Sequence, residues 1–260
     1  MDMKGKVAVV TGAASGIGRA TAHAIAEAGA AGLALVDLHE GAQHTAGSLR
    51  RDGLRIDVFR CDLGSVAEIR ETFAGIRAVF ERIDACAFVG GYSYRNRTLE
   101  TSEEEWDHVI GANLRGTFFC NQEALRTMYD QGSGAIVNMS ADAAFHPVEG
   151  FSIQAAAKGG IWHMTQVLAL EAAPRGVRVN CISPGNTAGG GHGVRVPRVS
   201  WPSAQYSSSL EDITRSMPGG RMLRPDEVAS VILFLCSDAS AAISGALIHA
   251  NAGGYYTMRF

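Results

Sequence analysis

Val7-Ala8-Val9-Val10-Thr11-Gly12-Ala13-Ala14-Ser15-Gly16-Ile17-Gly18 decides the fold. A short apolar run rich in β-branched residues reads as a buried strand, and the glycines after it fall where that strand turns into a helix beginning near Gly16. Gly12 permits the tight turn, Gly16 lets backbone approach a pyrophosphate, and Gly18 allows the helix to pack closely. Free N–H groups and the helix dipole favour the phosphates. Gly12, Ser15, Gly16, Ile17 and Gly18 are therefore the candidate phosphate cradle.

Six further runs, Leu33–Asp37, Asp57–Cys61, Ala85–Val89, Ala135–Ser140, Val177–Ile182 and Ala246–Ala250, alternate with segments of helical period. Strands that are apolar throughout are buried on both faces, which predicts an α/β fold: a doubly wound parallel sheet in three layers. Asp37 ends the second strand about twenty residues beyond the glycines, where a carboxylate can accept hydrogen bonds from an adenosine ribose and repel a 2′-phosphate. NAD is favoured over NADP on that ground. Asp62, after the third strand, suits an adenine-edge contact or a helix cap. Ser65 with Glu68 and Ser102 with Glu105 have the spacing of capping boxes.

The chain has 260 residues and is 47% hydrophobic, enough for one large core, so a single domain over 1–260 is expected. A net charge of -3 offers no basic field for nucleic acid or anionic lipid, leaving a small molecule as the expected partner. Five widely spaced cysteines suit reduced thiols and a cytoplasmic setting better than disulfides. No apolar run approaches the ~20 residues needed to span a bilayer. The eight histidines show no paired spacing with Cys or carboxylates, and no metal is expected. Residues 186–218 are rich in Gly, Ser and Pro and form a long irregular segment, expected to be a substrate lid. Its Val194, Val196, Val199 and Trp201 with Arg195 and Arg198 suit a molecule with an apolar body and a polar or acidic end.

Thr-Gly-x-x-x-Gly-Ile-Gly, Cys61-Asp62-Leu63, Asn113 in Asn-Leu-x-Gly, Ala155-Ala156-Ala157-Lys158, Ser183-Pro184-Gly185 and Ala252-Gly253-Gly254 together resemble the classical short-chain dehydrogenase/reductase family along essentially the whole chain. The resemblance implies a Rossmann fold, a nicotinamide dinucleotide, a homo-oligomer (tetramer or dimer) and hydride transfer between cofactor and an alcohol or ketone. It also implies cofactor contacts at Leu63, Asn113, Lys158, Pro184, Gly185 and Thr187.

One part of the pattern fails. The family's catalytic Tyr lies four residues before the Lys, here Gln154, and its Ser lies thirteen residues before that Tyr, here Ala141. The tyrosine hydroxyl exchanges a proton with substrate oxygen, and a glutamine amide cannot do so near neutral pH. Ser140 is adjacent, but successive strand residues point to opposite faces. The enoyl-reductase spacing, seven residues before the Lys, gives Phe151. Phe88-Val89-Gly90-Gly91 replaces Asn-Asn-Ala-Gly, and Gly189 and Ala252 replace a Thr and an Asp. Asn113 and Lys158 remain. Replacement proton donors are sought at Tyr92 and Tyr94 and at Asp142, His146 and Glu149; His146 suits best by its ordinary pKa. His192 and Tyr206 are more remote candidates. Three functions stay open: a divergent NAD(H) oxidoreductase, a non-redox enzyme (dehydratase, isomerase or cyclase), and a silent cofactor-binding pseudoenzyme.

Overall fold

A computed structural model describes residues 1–189 and 219–254. The strands are β1 (Val7–Thr11), β2 (Gly32–Asp37), β3 (Arg55–Arg60), β4 (Ala85–Phe88), β5 (Gly134–Met139), β6 (Val177–Pro184) and β7 (Leu247–Ala250). They form one sheet in the order β3-β2-β1-β4-β5-β6-β7, with every pairing parallel. The order reverses between β1 and β4, the switch point outside whose carboxyl ends α/β sheets bind ligands.

Alternation sorts each central strand between two cores. Ala8, Val10, Leu33, Leu35, Ala85 and Ala87 face α1 (Gly16–Glu27), α2 (Gly41–Leu49) and α7 (Pro225–Cys236). Val9, Ala34, Val36, Cys86 and Phe88 face α3 (Val66–Phe80), α5 (Gly116–Gln131) and α6 (Ser152–Ala172). Both faces are covered, so the central strands carry no polar side. The edge strand β3 begins two residues before the run that marks it in the sequence, and its ends, Arg55 and Arg60, are exposed. An edge has one neighbour, so apolar content marks its limits poorly. All five cysteines are buried free thiols.

The two capping boxes differ. Ser102 and Glu105 complete theirs at α4 (Glu103–Ile110). Ser65 accepts from the Glu68 N–H at α3, but the Glu68 carboxylate takes the Asp62 N–H (2.9 Å), because the Ser65 N–H is already bonded to the Asp62 carbonyl. The second box is thus half a box, and its free arm fixes the loop after β3. Among the described residues no helix is long and apolar enough to cross a membrane.

Candidate functional site

Glycines bring the loops after β1 and β4 together. Gly12 has φ +71°, and a methyl on it would lie 2.8 Å from the Gly90 Cα; a methyl on Gly90 would lie 2.7 Å from Leu63 Cδ1. A methyl on Gly18 would collide with the Gly12 carbonyl oxygen, so α1 packs against the loop through hydrogen alone. Gly16 opens the helix with φ +51°. Ser15 occupies the N-cap in extended backbone, and its hydroxyl makes no capping bond. Ser15, Gly16, Ile17 and Gly18 therefore form an N-terminus whose first N–H groups lack helical partners, the arrangement that holds an anion.

The Asp37 carboxylate lies against this loop, Oδ2 accepting from the Ala14 N–H (2.9 Å) and Oδ1 from the His39 N–H (2.9 Å). Two backbone donors fix its orientation at the strand end. Asp62 folds back on its own turn, Oδ1 accepting from the Gly64 N–H (2.8 Å), with Leu63 pressed toward Gly90. These residues share one rim of the sheet, with helix N–H groups and a carboxylate side by side.

The second half of the site gathers around Gly91. A methyl there would lie 2.5 Å from Asn113 Oδ1 and 3.5 Å from Lys158 Nζ, so its bare backbone lets both side chains approach. Asn113 is fully buried in the single π turn Gly111–Arg115 between α4 and α5, a distortion often found at functional sites. Its amide donates to the carbonyls of Tyr92 (2.8 Å) and Val109 (3.0 Å) and accepts from the Tyr92 N–H (3.3 Å). The side chain is fully committed to backbone and pins the loop after β4.

Lys158, 5% exposed, donates to the Met139 carbonyl (3.0 Å), and burial lowers its pKa to about 8. Gln154 lies one turn earlier on the same helix face. It is 6% exposed, and its Oε1 is buried without a hydrogen-bond partner among the described residues. Ser140 donates to the Lys158 carbonyl (2.9 Å), which spends its hydroxyl on the helix backbone. The alternation argument against Ser140 as a stand-in thus agrees with the geometry, and the next residue toward the site is Ala141.

The other candidate donors are engaged differently. Tyr92 stacks on Tyr94 (6.2 Å between centroids) and meets His108 edge-on (4.6 Å). Tyr94 is pushed to about 12, first by burial and then by its bond with Glu105. Glu149 meets Arg95 through its backbone carbonyl (3.2 Å). Asp142 opens a 3₁₀ turn after β5 and accepts from Ser183 Oγ (2.9 Å). His146 stands close enough to His249 to lower that imidazole's pKa, while Asp142 raises it; burial is the larger, lowering influence. Past β6, Gly185 is held by the Ala250 carbonyl (3.1 Å), and Thr187 donates to the Gly185 carbonyl (2.9 Å). Pro184 is the last residue of β6. Residues 190–218, most of the expected lid with His192, Trp201 and Tyr206, lie outside the described residues.

Sequence reasoning missed His249 and Asn251. Both follow from the topology that puts β7 beside β6, and the one available signal was the drift from the family pattern at Ala252. Among the described residues no group of three or more His, Cys, Asp or Glu is arranged to hold a metal ion.

A family model described as enoyl-(acyl carrier protein) reductase matches residues 12–255. The chain is 37% identical over 254 residues to a D-threitol dehydrogenase of Mycolicibacterium smegmatis, covering 97% of this chain and 94% of that protein. It is 36% identical over 250 residues to an NAD-dependent glycerol dehydrogenase of Listeria innocua, covering 96% and 93%. The crystal structure of a Sinorhizobium meliloti protein ascribed to the short-chain alcohol dehydrogenases superposes with a TM-score of 0.87 at 30% identity, over 99% of both chains.

Proposed function

This chain belongs to the short-chain dehydrogenase/reductase family, and on that premise we propose that it binds NAD(H) and exchanges hydride with a small-molecule alcohol or ketone in a site that lacks the family's tyrosine. The observation that carries the cofactor preference is the Asp37 carboxylate, turned onto the glycine loop at the end of β2. There it accepts from a ribose 2′-hydroxyl and repels a 2′-phosphate. A nicotinamide dinucleotide, when bound, supplies the hydride acceptor or donor.

The chain's own residues supply the rest. The α1 N-terminus with Ser15 holds the pyrophosphate, Asp62 and Leu63 border the adenine, and Pro184, Gly185 and Thr187 border the nicotinamide end. Asn113 fixes the loop after β4, while Lys158 bonds the ribose and, with a pKa near 8, stores a proton for a water-borne relay. Gln154 holds the substrate oxygen without exchanging its proton, and Asp142, His146 and Tyr92 are the side-chain candidates for that exchange. Residues 1–260 act as a single domain. The five buried free thiols suit a cytoplasmic setting, and exposed Phe118 on α5 with Val167 and Leu170 on α6 suits a dimer or tetramer.

Calorimetry with both cofactors tests the reading. NADH is expected to bind at least about tenfold more tightly than NADPH, with Asp37→Ser narrowing the gap. Equal or tighter NADPH binding by the unaltered protein would overturn it. A second reading, a non-redox or silent cofactor-binding protein, is favoured by Gln154 and Ala141 standing where the reacting hydroxyls belong.

A further inference from the structure

The loop after β3 is held from outside at Gly64. The Gly64 N–H donates to Asp62 Oδ1 (2.8 Å), and the Gly64 carbonyl accepts from Arg115 Nη2 (2.8 Å). The peptide from Gly64 to Ser65 is thereby fixed at both ends, because the Ser65 N–H donates to the Asp62 carbonyl (3.0 Å). The Asp62 N–H is taken by Glu68 Oε2 (2.9 Å). The backbone of this turn sets the direction of the Asp62 carboxylate, and glycine is the residue whose backbone turns most freely. Arg115 removes that freedom at Gly64.

The arginine itself stands on a fixed base. It is the last residue of the π turn Gly111–Arg115, whose Asn113 is tied to the carbonyls of Tyr92 (2.8 Å) and Val109 (3.0 Å). Its guanidinium lies close to Gly111, where a methyl would come within 3.1 Å of Nη2. A methyl on the next residue, Gly116, would collide with the Leu63 carbonyl oxygen, so the loop after β3 rests directly on the start of α5. Arg115 is exposed, and substitutions of surface side chains usually change stability little. What its bond to Gly64 controls is orientation.

We propose that Arg115 is a positioning residue for base recognition: through Gly64 it holds the Asp62 carboxylate in the orientation that selects adenine. This rests on the reading that Asp62 borders the adenine of a bound dinucleotide. A carboxylate only accepts, so it pairs with the 6-amino group of adenine and opposes the 6-oxo group of hypoxanthine. A carboxylate free to turn would reach the ring N–H that hypoxanthine carries beside that oxygen. Selection between the two bases therefore depends on a fixed orientation as well as on the presence of the acid.

The test is calorimetric titration of the full chain with AMP and with IMP, which share ribose and phosphate and differ in the base. AMP is expected to bind about tenfold more tightly to the unaltered protein, and Arg115→Met to bring the ratio down to about two, chiefly by weakening AMP. Arg115→Gln gives a second variant should the first fail to fold, and thermal unfolding checks that both keep the fold. A merely structural role would weaken both nucleotides together and leave their ratio intact; that result, or a full preference surviving in either folded variant, overturns the role of Arg115. An unaltered chain that binds both nucleotides equally overturns base selection by Asp62 and the role of Arg115, but not the dinucleotide reading. One that binds neither overturns that reading and this inference together.

Discussion

The glycine loop after β1 and the loop after β4 touch at Gly12 and Gly90, yet the two halves of the site they join carry their chemistry in different ways. On the β1–β3 side the groups are chiefly backbone: helix N–H groups, a bare Gly18 under the loop, and one carboxylate fixed by two peptide donors. On the β4–β7 side the groups are side chains, and there Gln154 and Ala141 stand at the spacing where the family carries its Tyr and Ser. A backbone cradle needs only small residues and tolerates drift around it, whereas proton transfer needs one specific group in one place. The first half therefore keeps the family's pattern, and the second can be rebuilt for another substrate.

The largest effect that would break this contrast is kinetic. Secondary alcohols and ketones without further hydroxyls should turn over ~10²–10⁴-fold more slowly than the usual 1–10³ per second, because no positioned tyrosine exchanges the proton. An absorbance assay of reduced cofactor over a substrate panel measures it. Ordinary rates would mean that another residue already does this work. Gln154→Tyr with Ala141→Ser should impair turnover of the native substrate; full turnover in the double variant would show that these positions were not reshaped.

The backbone half is sharpened by Gly18→Ala. The added methyl collides with the Gly12 carbonyl, an overlap expected to cost up to about 3 kcal/mol and to abolish measurable NADH binding. Thermal unfolding and calorimetry read the two effects. Unchanged NADH affinity would mean that the loop is not the cradle.

A smaller effect isolates Lys158. Burial depresses its pKa from 10.5 to about 8 in the folded chain. Between those values the unfolded state holds the extra proton, so stability rises with pH across the window and is lost as pH falls through about 8. The contribution is on the order of 3 kcal/mol. Burial holds the thiols of Cys86, Cys120 and Cys236 above their ordinary range, which acts in the opposite direction at alkaline pH. The readout is therefore the difference between wild type and Lys158→Met in denaturant unfolding across this range. Parallel curves would place the Lys158 ammonium in contact with water.

The local pattern of the chain carried the seven strands, the parallel sheet and the glycine turn, because burial on both faces and the strand-to-helix break are written in consecutive residues. It also carried the loss at Gln154 and Ala141, since their spacing to Lys158 is a count along one chain. It misjudged Glu68, whose carboxylate was drawn away by a peptide N–H already placed in the loop after β3. That outcome depended on which donor stood closer once the loop had folded.

Composition and spacing thus determined the architecture and the glycine turn that opens a helix N-terminus, because those depend on short-range periodicity and on the absence of Cβ atoms. Only the tertiary structure decided that Ser140 spends its hydroxyl on the Lys158 carbonyl, that Asn113 is tied to the Tyr92 backbone, and that Asp142 accepts from the Ser183 hydroxyl. Hydrogen bonds are short and directional, so whether a polar group is satisfied depends on atoms that the parallel sheet brings together from distant parts of the chain.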